Sequence, residues 1–189
     1  MTDPKHDKSL LARLAIEALN AKFAWLIDHR DGDGVADLFT EGGVYDLGGE
    51  QVFSGRKEIA HFYAARRARG LRTARHVFTN LHVVLESDDR AHCVSILTLY
   101  AHDGAPPFPA SALLVADYED VCLLSDDERW LYRSRTIVPA FGLVPQLASR
   151  VVDKRPIESW LTLLSAALSK ADTQPRPQDT ARRGDPDVP

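Results

Sequence analysis

Asp28 and His76, 48 positions apart, are the pair in this chain best suited to proton chemistry. The aspartate lies in WLIDHRDGDGVADLFTE (residues 25–41) and the histidine in RHVFTN (residues 75–80). A carboxylate that accepts a hydrogen bond from an imidazole fixes its tautomer and makes the other ring nitrogen the better base, so a small pocket can abstract a proton with neither metal nor cofactor. No contiguous catalytic motif joins the two, so the fold has to bring their segments together. Each also has a plain structural role open to it: Asp28 facing water beside the Asp31-Gly32-Asp33-Gly34 turn, His76 as a satisfied core or surface histidine.

The elements that must do the positioning follow from periodicity. Between about residues 9 and 28, Leu11, Leu14, Ala18, Ala21 and Trp25 recur at three- and four-residue intervals, which predicts a helix whose apolar stripe Asp28 continues. The Asp-Gly-Asp-Gly turn ends that helix, and residues 34–39 read as a second, short one. The turn is not followed by the oxygen ligands of a calcium loop, so no metal is expected there. A hairpin through Gly48-Gly49 joins 44–47 to 51–53, and Ser54 is placed to cap a third helix over 56–69.

Four long strands are predicted next, over 75–85, 91–102, 111–121 and 130–138. Helices first and strands after imply an α+β fold: a cone-shaped, curved antiparallel β-sheet wrapped around N-terminal helices, with a cavity between the layers. Alternation puts Ala74, His76, Phe78 and Asn80 on one face of the first long strand and Val77, Thr79, Leu81 and Val83 on the other. With the first face lining the cavity, His76 points at the helix that carries Asp28.

Bulk properties narrow the partners. The 189 residues, 44% hydrophobic, suit a single domain over 9–142, preceded by a flexible N-terminus (1–8) and followed by a helical extension (143–171) and a disordered tail (172–189). On the extension, Ile157, Trp160, Leu161, Leu164 and Leu168 form a stripe fit to close a pocket or to pack on a second subunit. A net charge of −4 gives no basic footprint for nucleic acid. Arg66, Arg67, Arg69, Arg72 and Arg75 nonetheless cluster, either as a solvated face or as a positive rim that draws in an anionic substrate. Cys93 and Cys122 belong to no CxxC and read as buried thiols. No signal-peptide order and no apolar run near the ~18 residues of a membrane span are present, which predicts a cytoplasmic protein with no membrane partner. The remaining histidines form no HxH or HExxH pattern, and no GxGxxG, phosphate loop or GxSxG occurs, so neither metal nor cofactor is expected.

Four segments together, LIDHRDGDGVADLFTE, FSGRKEI (53–59), RHVFTN and ERWLYRSR (128–135), resemble the SnoaL-like branch of the nuclear-transport-factor-2-like superfamily, over about residues 10–138. That superfamily includes polyketide cyclases, scytalone dehydratase, ketosteroid isomerase and hexachlorocyclohexane dehydrochlorinase. The resemblance implies an α+β barrel and a small-molecule substrate; because an open curved sheet exposes an apolar face that a lone chain covers poorly, a homo-oligomer is expected, dimer or trimer as in that superfamily. It carries the family's pocket aspartate onto Asp28 and its catalytic histidine onto His76, with a separation similar to that of the dehydrochlorinase-like members. Tyr45 falls where that subgroup places a pocket aromatic, and Arg133 or Arg135 lies near its pocket cation. The chain departs from the pattern at Phe23, where a polar group is expected, and at Tyr100 and His102, where a second catalytic histidine is expected.

The substrate contacts expected are therefore Trp25, Tyr45, Phe78, Asn80, Tyr100 and Arg135. Tyr45 or Tyr100 would donate to oxyanion charge and Arg135 would assist an anionic leaving group, or these side chains are core and surface residues without a role in chemistry. The activity expected is a cofactor-independent lyase or isomerase, of dehydratase, dehydrohalogenase or cyclase type. The competing expectation is a non-catalytic ligand-binding or assembly subunit resembling the small subunit of ring-hydroxylating dioxygenases.

Overall fold

The computed structural model describes residues 4–48 and 51–142. The helix expected beyond residue 143 and the tail over 172–189 lie outside the described residues. The chain opens with helix α1 (Pro4–Arg30), a 3₁₀ turn (Val35–Leu38), strands β1 (Phe39–Asp46) and β2 (Val52–Ser54) and helix α2 (Arg56–Ala68). Four long strands complete it: β3 (Arg72–Ser87), β4 (Arg90–Asp103), β5 (Leu114–Leu124) and β6 (Trp130–Gly142). Helix α1 starts earlier than expected, so residues 4–8 are helical rather than a loose leader; Asp7 in its first turn complements the helix dipole. No described helix is long and apolar enough to cross a membrane.

The strands form one curved sheet in the order β2-β1-β6-β5-β4-β3. Its two edge strands do not pair, so the sheet stays open. It is mixed rather than purely antiparallel, because β1 pairs parallel with β6 while the other neighbours pair antiparallel. The hairpin expected at residues 44–53 is present, with Tyr45 opposite Phe53. Ser54 does not cap α2 through its side chain. Gly55 (φ 86°) holds the cap position, and the backbone N–H of Ser54, the residue before it, donates to the Glu58 carboxylate at 2.7 Å. The Arg56 Nε donates to the Phe39 carbonyl at 2.7 Å and fixes the start of α2 beside the start of β1.

Helix α1 buries Ala12, Ile16, Leu19, Phe23 and Ile27, not the expected stripe: Leu11, Leu14 and Trp25 stay 65%, 53% and 52% exposed. The two stripes lie on opposite sides of the helix, roughly 160° apart, and the sheet selects the one that carries Phe23. Phe23 sits edge-on to Phe39, Tyr45, Phe78, Tyr118 and Tyr132, with ring centroids 5.8–6.5 Å away. The buried stripe carries Ile16, Leu19, Phe23 and Ile27 in succession, whereas Ala18 and Ala21 interrupt the other, so burying the first removes more apolar area from water.

Strand β3 keeps the expected alternation as far as Thr79, where a bulge intervenes before His82 and Asn80 takes a left-handed φ of 53°. The extra residue re-phases the strand, so Leu81, Val83 and Leu85 turn toward the core instead of away from it. Both cysteines are buried and free, as expected, and a hydrogen bond to Cys93 followed by burial pushes the Cys122 thiol well above its ordinary pKa.

The turn after α1 has one position at which only glycine fits. Gly32 is left-handed (φ 80°) and a Cβ there would overlap the Tyr63 ring, whereas Gly34, also left-handed (φ 82°), has its nearest neighbour at 3.8 Å, on Leu26. We expect Gly32→Ala to lose about 2–4 kcal/mol, combining backbone strain with overpacking, and Gly34→Ala only about 1 kcal/mol from strain alone. Denaturant unfolding of the two variants checks this; equal losses would contradict it.

Candidate active site

The last turn of α1 carries Asp28 to β3, where both of its oxygens grip one residue. The His76 backbone N–H donates to Asp28 Oδ2 at 2.8 Å, and His76 Nδ1 lies 2.6 Å from Oδ1. The two side chains are only 6% and 10% exposed. An ionised carboxylate can only accept, so beside it the neutral form of the ring carries its hydrogen on Nδ1 and its lone pair on Nε2. Binding backbone and ring together also fixes the ring's orientation, which a single contact would not.

His76 lines a cavity of about 410 Å³, a size suited to a small organic molecule. Its apolar wall includes Ile27, Leu97, Leu99 and Ile137, supplied by α1, β4 and β6. Three tyrosines from three elements also face it: Tyr45 on β1, Tyr63 on α2 and Tyr118 on β5. Tyr45 is hydrogen-bonded to both of the others. Burial pushes the Tyr45 hydroxyl above the usual range and those of Tyr63 and Tyr118 well above it, so all three are neutral donors at physiological pH. At the mouth stand Arg66, Arg69 and Arg72, with Asp103 bound to Arg72 at 2.7 Å.

Of the residues expected to contact substrate, Tyr45 faces this cavity and the others do not. Trp25 lies on the exposed side of α1 with its ring 6.0 Å from that of His29. Phe78 packs in the core against Phe23 and Tyr118, Asn80 is exposed on the β3 bulge, and Tyr100, 37% exposed, sits opposite Arg75 on the outward phase of the β3–β4 ladder. Arg133 is exposed, with Nη1 donating to the Gly42 carbonyl at 2.8 Å.

Arg135 is a core residue rather than a pocket cation. Its Nε and Nη2 donate to the two Asp120 oxygens at 2.8 and 2.7 Å, and Nη2 also donates to Asn20 Oδ1 at 2.7 Å. The guanidinium lies 4.0–5.3 Å from the ring centroids of Tyr132, Phe23, Tyr118 and Phe78. Burial works against its charge, but Asp120 and then Tyr132 hold its pKa above the arginine range. Phe23, which stands where a polar group was expected, forms part of this aromatic cage.

Tyr63 and Tyr118 were not foreseen. Tyr63 was accessible to pattern reading, since Ile59 and Tyr63 are spaced i, i+4 on α2 and are its buried pair. Tyr118 follows the inward alternation of Leu114, Ala116 and Asp120 on β5, which only the register of the sheet brings to the cavity. Among the described residues, no group of three or more His, Cys, Asp or Glu could hold a metal ion.

The sequence profile described as a SnoaL-like domain matches residues 8–136. No curated protein matches the chain. Among solved structures, a variant of Rv3472 from Mycobacterium tuberculosis, a protein of unknown function, is 25% identical with a TM-score of 0.63, covering 89% of this chain and 94% of that one. ActVI-ORFA from Streptomyces coelicolor is 20% identical with a TM-score of 0.59, over 67% of this chain and 96% of that one. A hexachlorocyclohexane dehydrochlorinase, LinA type 2, is 15% identical with a TM-score of 0.60, over 71% and 88%. Likeness at the identities of the last two speaks for the fold alone.

Proposed function

Because the chain belongs to the SnoaL-like domain family, we propose that it is a cofactor-independent lyase or isomerase in which His76 is the base and Asp28 its positioning partner. The observation that carries this reading is the double grip of Asp28 on the His76 backbone N–H and Nδ1, with the same ring lining the cavity. Nε2 takes a proton from a carbon next to an activating carbonyl, and the C–H electron pair moves into an enolate. Asp28 stabilises the imidazolium so formed, and the Tyr45 hydroxyl, which accepts from Tyr63 and Tyr118, supplies a neutral donor for the oxyanion. From the enolate, a β-hydroxyl leaves as water after taking the proton from His76, a β-halide leaves with its bonding pair, or the proton returns at another carbon. The first two outcomes are eliminations and the third is an isomerisation.

The test is turnover of a panel holding a cyclic β-hydroxy ketone, a β-halo ketone and a β,γ-unsaturated ketone, by the wild type and by His76→Ala. We expect the variant to fold and to lose activity by roughly 10²–10⁴. Full activity in the folded variant would overturn the proposal. The exposed Leu11, Leu14, Val77 and Tyr100 support a homo-oligomer and a second reading, a ligand-binding or assembly subunit, in which His76→Ala has no functional consequence.

A further inference from the structure

The five-arginine cluster divides in the structure. Arg67 reaches the Asp31 carbonyl and Arg75 the Ala74 carbonyl, and neither lines the cavity. Arg66 and Arg69, three residues apart at the end of α2, do line it, and so does Arg72 at the start of β3. Asp103 pairs with Arg72. Among the described residues, no carboxylate lies within 4.0 Å of Arg66 or Arg69.

An arginine at a helix C-terminus ordinarily answers the helix dipole from solvent. Arg67 fits that description, being exposed, but Arg66 is half-buried beside Tyr63 and Tyr45. Burial lowers its pKa, and Asp31, the acid that most favours its charge, does not reach it as an ion pair. A desolvated guanidinium on an apolar wall is costly until an anion joins it, and its planar fork suits a carboxylate in a two-point contact. The cationic mouth and His76 line one cavity, so a substrate anchored at the first presents its other end to the second.

We infer that the substrate carries a carboxylate, bound at the cavity mouth by Arg66 and Arg69. This rests on reading the cavity as the substrate site, and it makes those two arginines binding residues while His76 remains the base. The experiment compares binding of 2-naphthoate, neutral 2-naphthamide and 2-naphthyl phosphate by calorimetry, so that charge and anion shape vary on one apolar body.

The wild type should bind 2-naphthoate about tenfold or more tightly than 2-naphthamide at low salt, a preference that shrinks as salt is added. In the Arg66→Gln, Arg69→Gln double variant the preference should fall to about twofold or less, with 2-naphthamide binding unchanged. Arg67→Gln with Arg75→Gln, which leaves the cavity intact, should keep it. Equal wild-type affinity for acid and amide, a preference that survives in the Arg66/Arg69 variant, its equal loss in the Arg67/Arg75 variant, or tighter binding of the phosphate would each overturn the assignment. Because the readout is binding, it is separable from catalysis. His76→Ala should retain the preference, so a failed turnover test beside an intact preference would count against the base and not against the anion site.

Discussion

Asp28→Asn is expected to reduce kcat/KM for the proposed reaction by roughly 10²–10⁴ while leaving the fold in place. The replacement carboxamide is isosteric. Its oxygen can still accept from the His76 backbone N–H, now made at 2.8 Å to Oδ2, so the link between α1 and β3 survives. The amide nitrogen then faces Nδ1, at the site where Oδ1 now lies 2.6 Å away, and an NH₂ can only donate. His76 would have to accept at Nδ1 and carry its hydrogen on Nε2, the nitrogen that the proposed chemistry needs bare. The variant thus removes the base by changing a tautomer without moving a ring. Steady-state kinetics beside thermal unfolding checks this: a melting temperature near that of the wild type together with near-normal turnover would contradict it.

The largest expected effect on stability is at Asp120. Its side chain is 2% exposed and that of Arg135 is fully buried, so Asp120→Ala leaves a guanidinium in the core with Asn20 as its one remaining side-chain acceptor. Breaking a buried pair by removing one partner costs about 3–5 kcal/mol, a large part of the 5–15 kcal/mol that typically holds a domain together. Removing both charges is different in kind. Asp120→Leu combined with Arg135→Met abolishes the desolvated charges together, and we expect it to recover most of the loss. Urea unfolding of the single and double variants reads both numbers; a single-variant loss below about 1 kcal/mol would show that the pair does not organise this core. The aromatic cage explains why a cation is tolerated there, since four rings within 5.3 Å present it with partners of their own.

How far these features were legible differed from residue to residue. Local chemistry was readable. Each strand of the second half, the hairpin at residues 44–53 and the turn after the first helix are signalled by neighbours in sequence, and the alternation on β3 that places His76 inward holds until the bulge. The phase of α1 was not readable, because two apolar stripes on opposite sides of the helix compete and only contact with the sheet chooses between them. The bulge at Asn80 is equally hidden: an extra residue is defined against the partner strand, here between the pairs Thr79–Ile96 and His82–Val94. Arg135 reads as a surface or pocket charge until β5 and β6 are set in register, which places Asp120 directly opposite it. The parallel β1–β6 pairing joins segments far apart in the chain, and no local pattern encodes it.

Central to this account is a neutral His76 imidazole, held at Nδ1 by Asp28, with Nε2 as its basic nitrogen, and nitrogen-detected NMR of the histidine side chains measures this directly. Spectra of the wild type, with the His76 resonance assigned by its loss in His76→Ala, should show Nδ1 protonated and Nε2 as the bare, basic nitrogen, and Asp28→Asn should exchange the two. A wild-type ring with its hydrogen on Nε2 would contradict the account, because no base would then face the cavity.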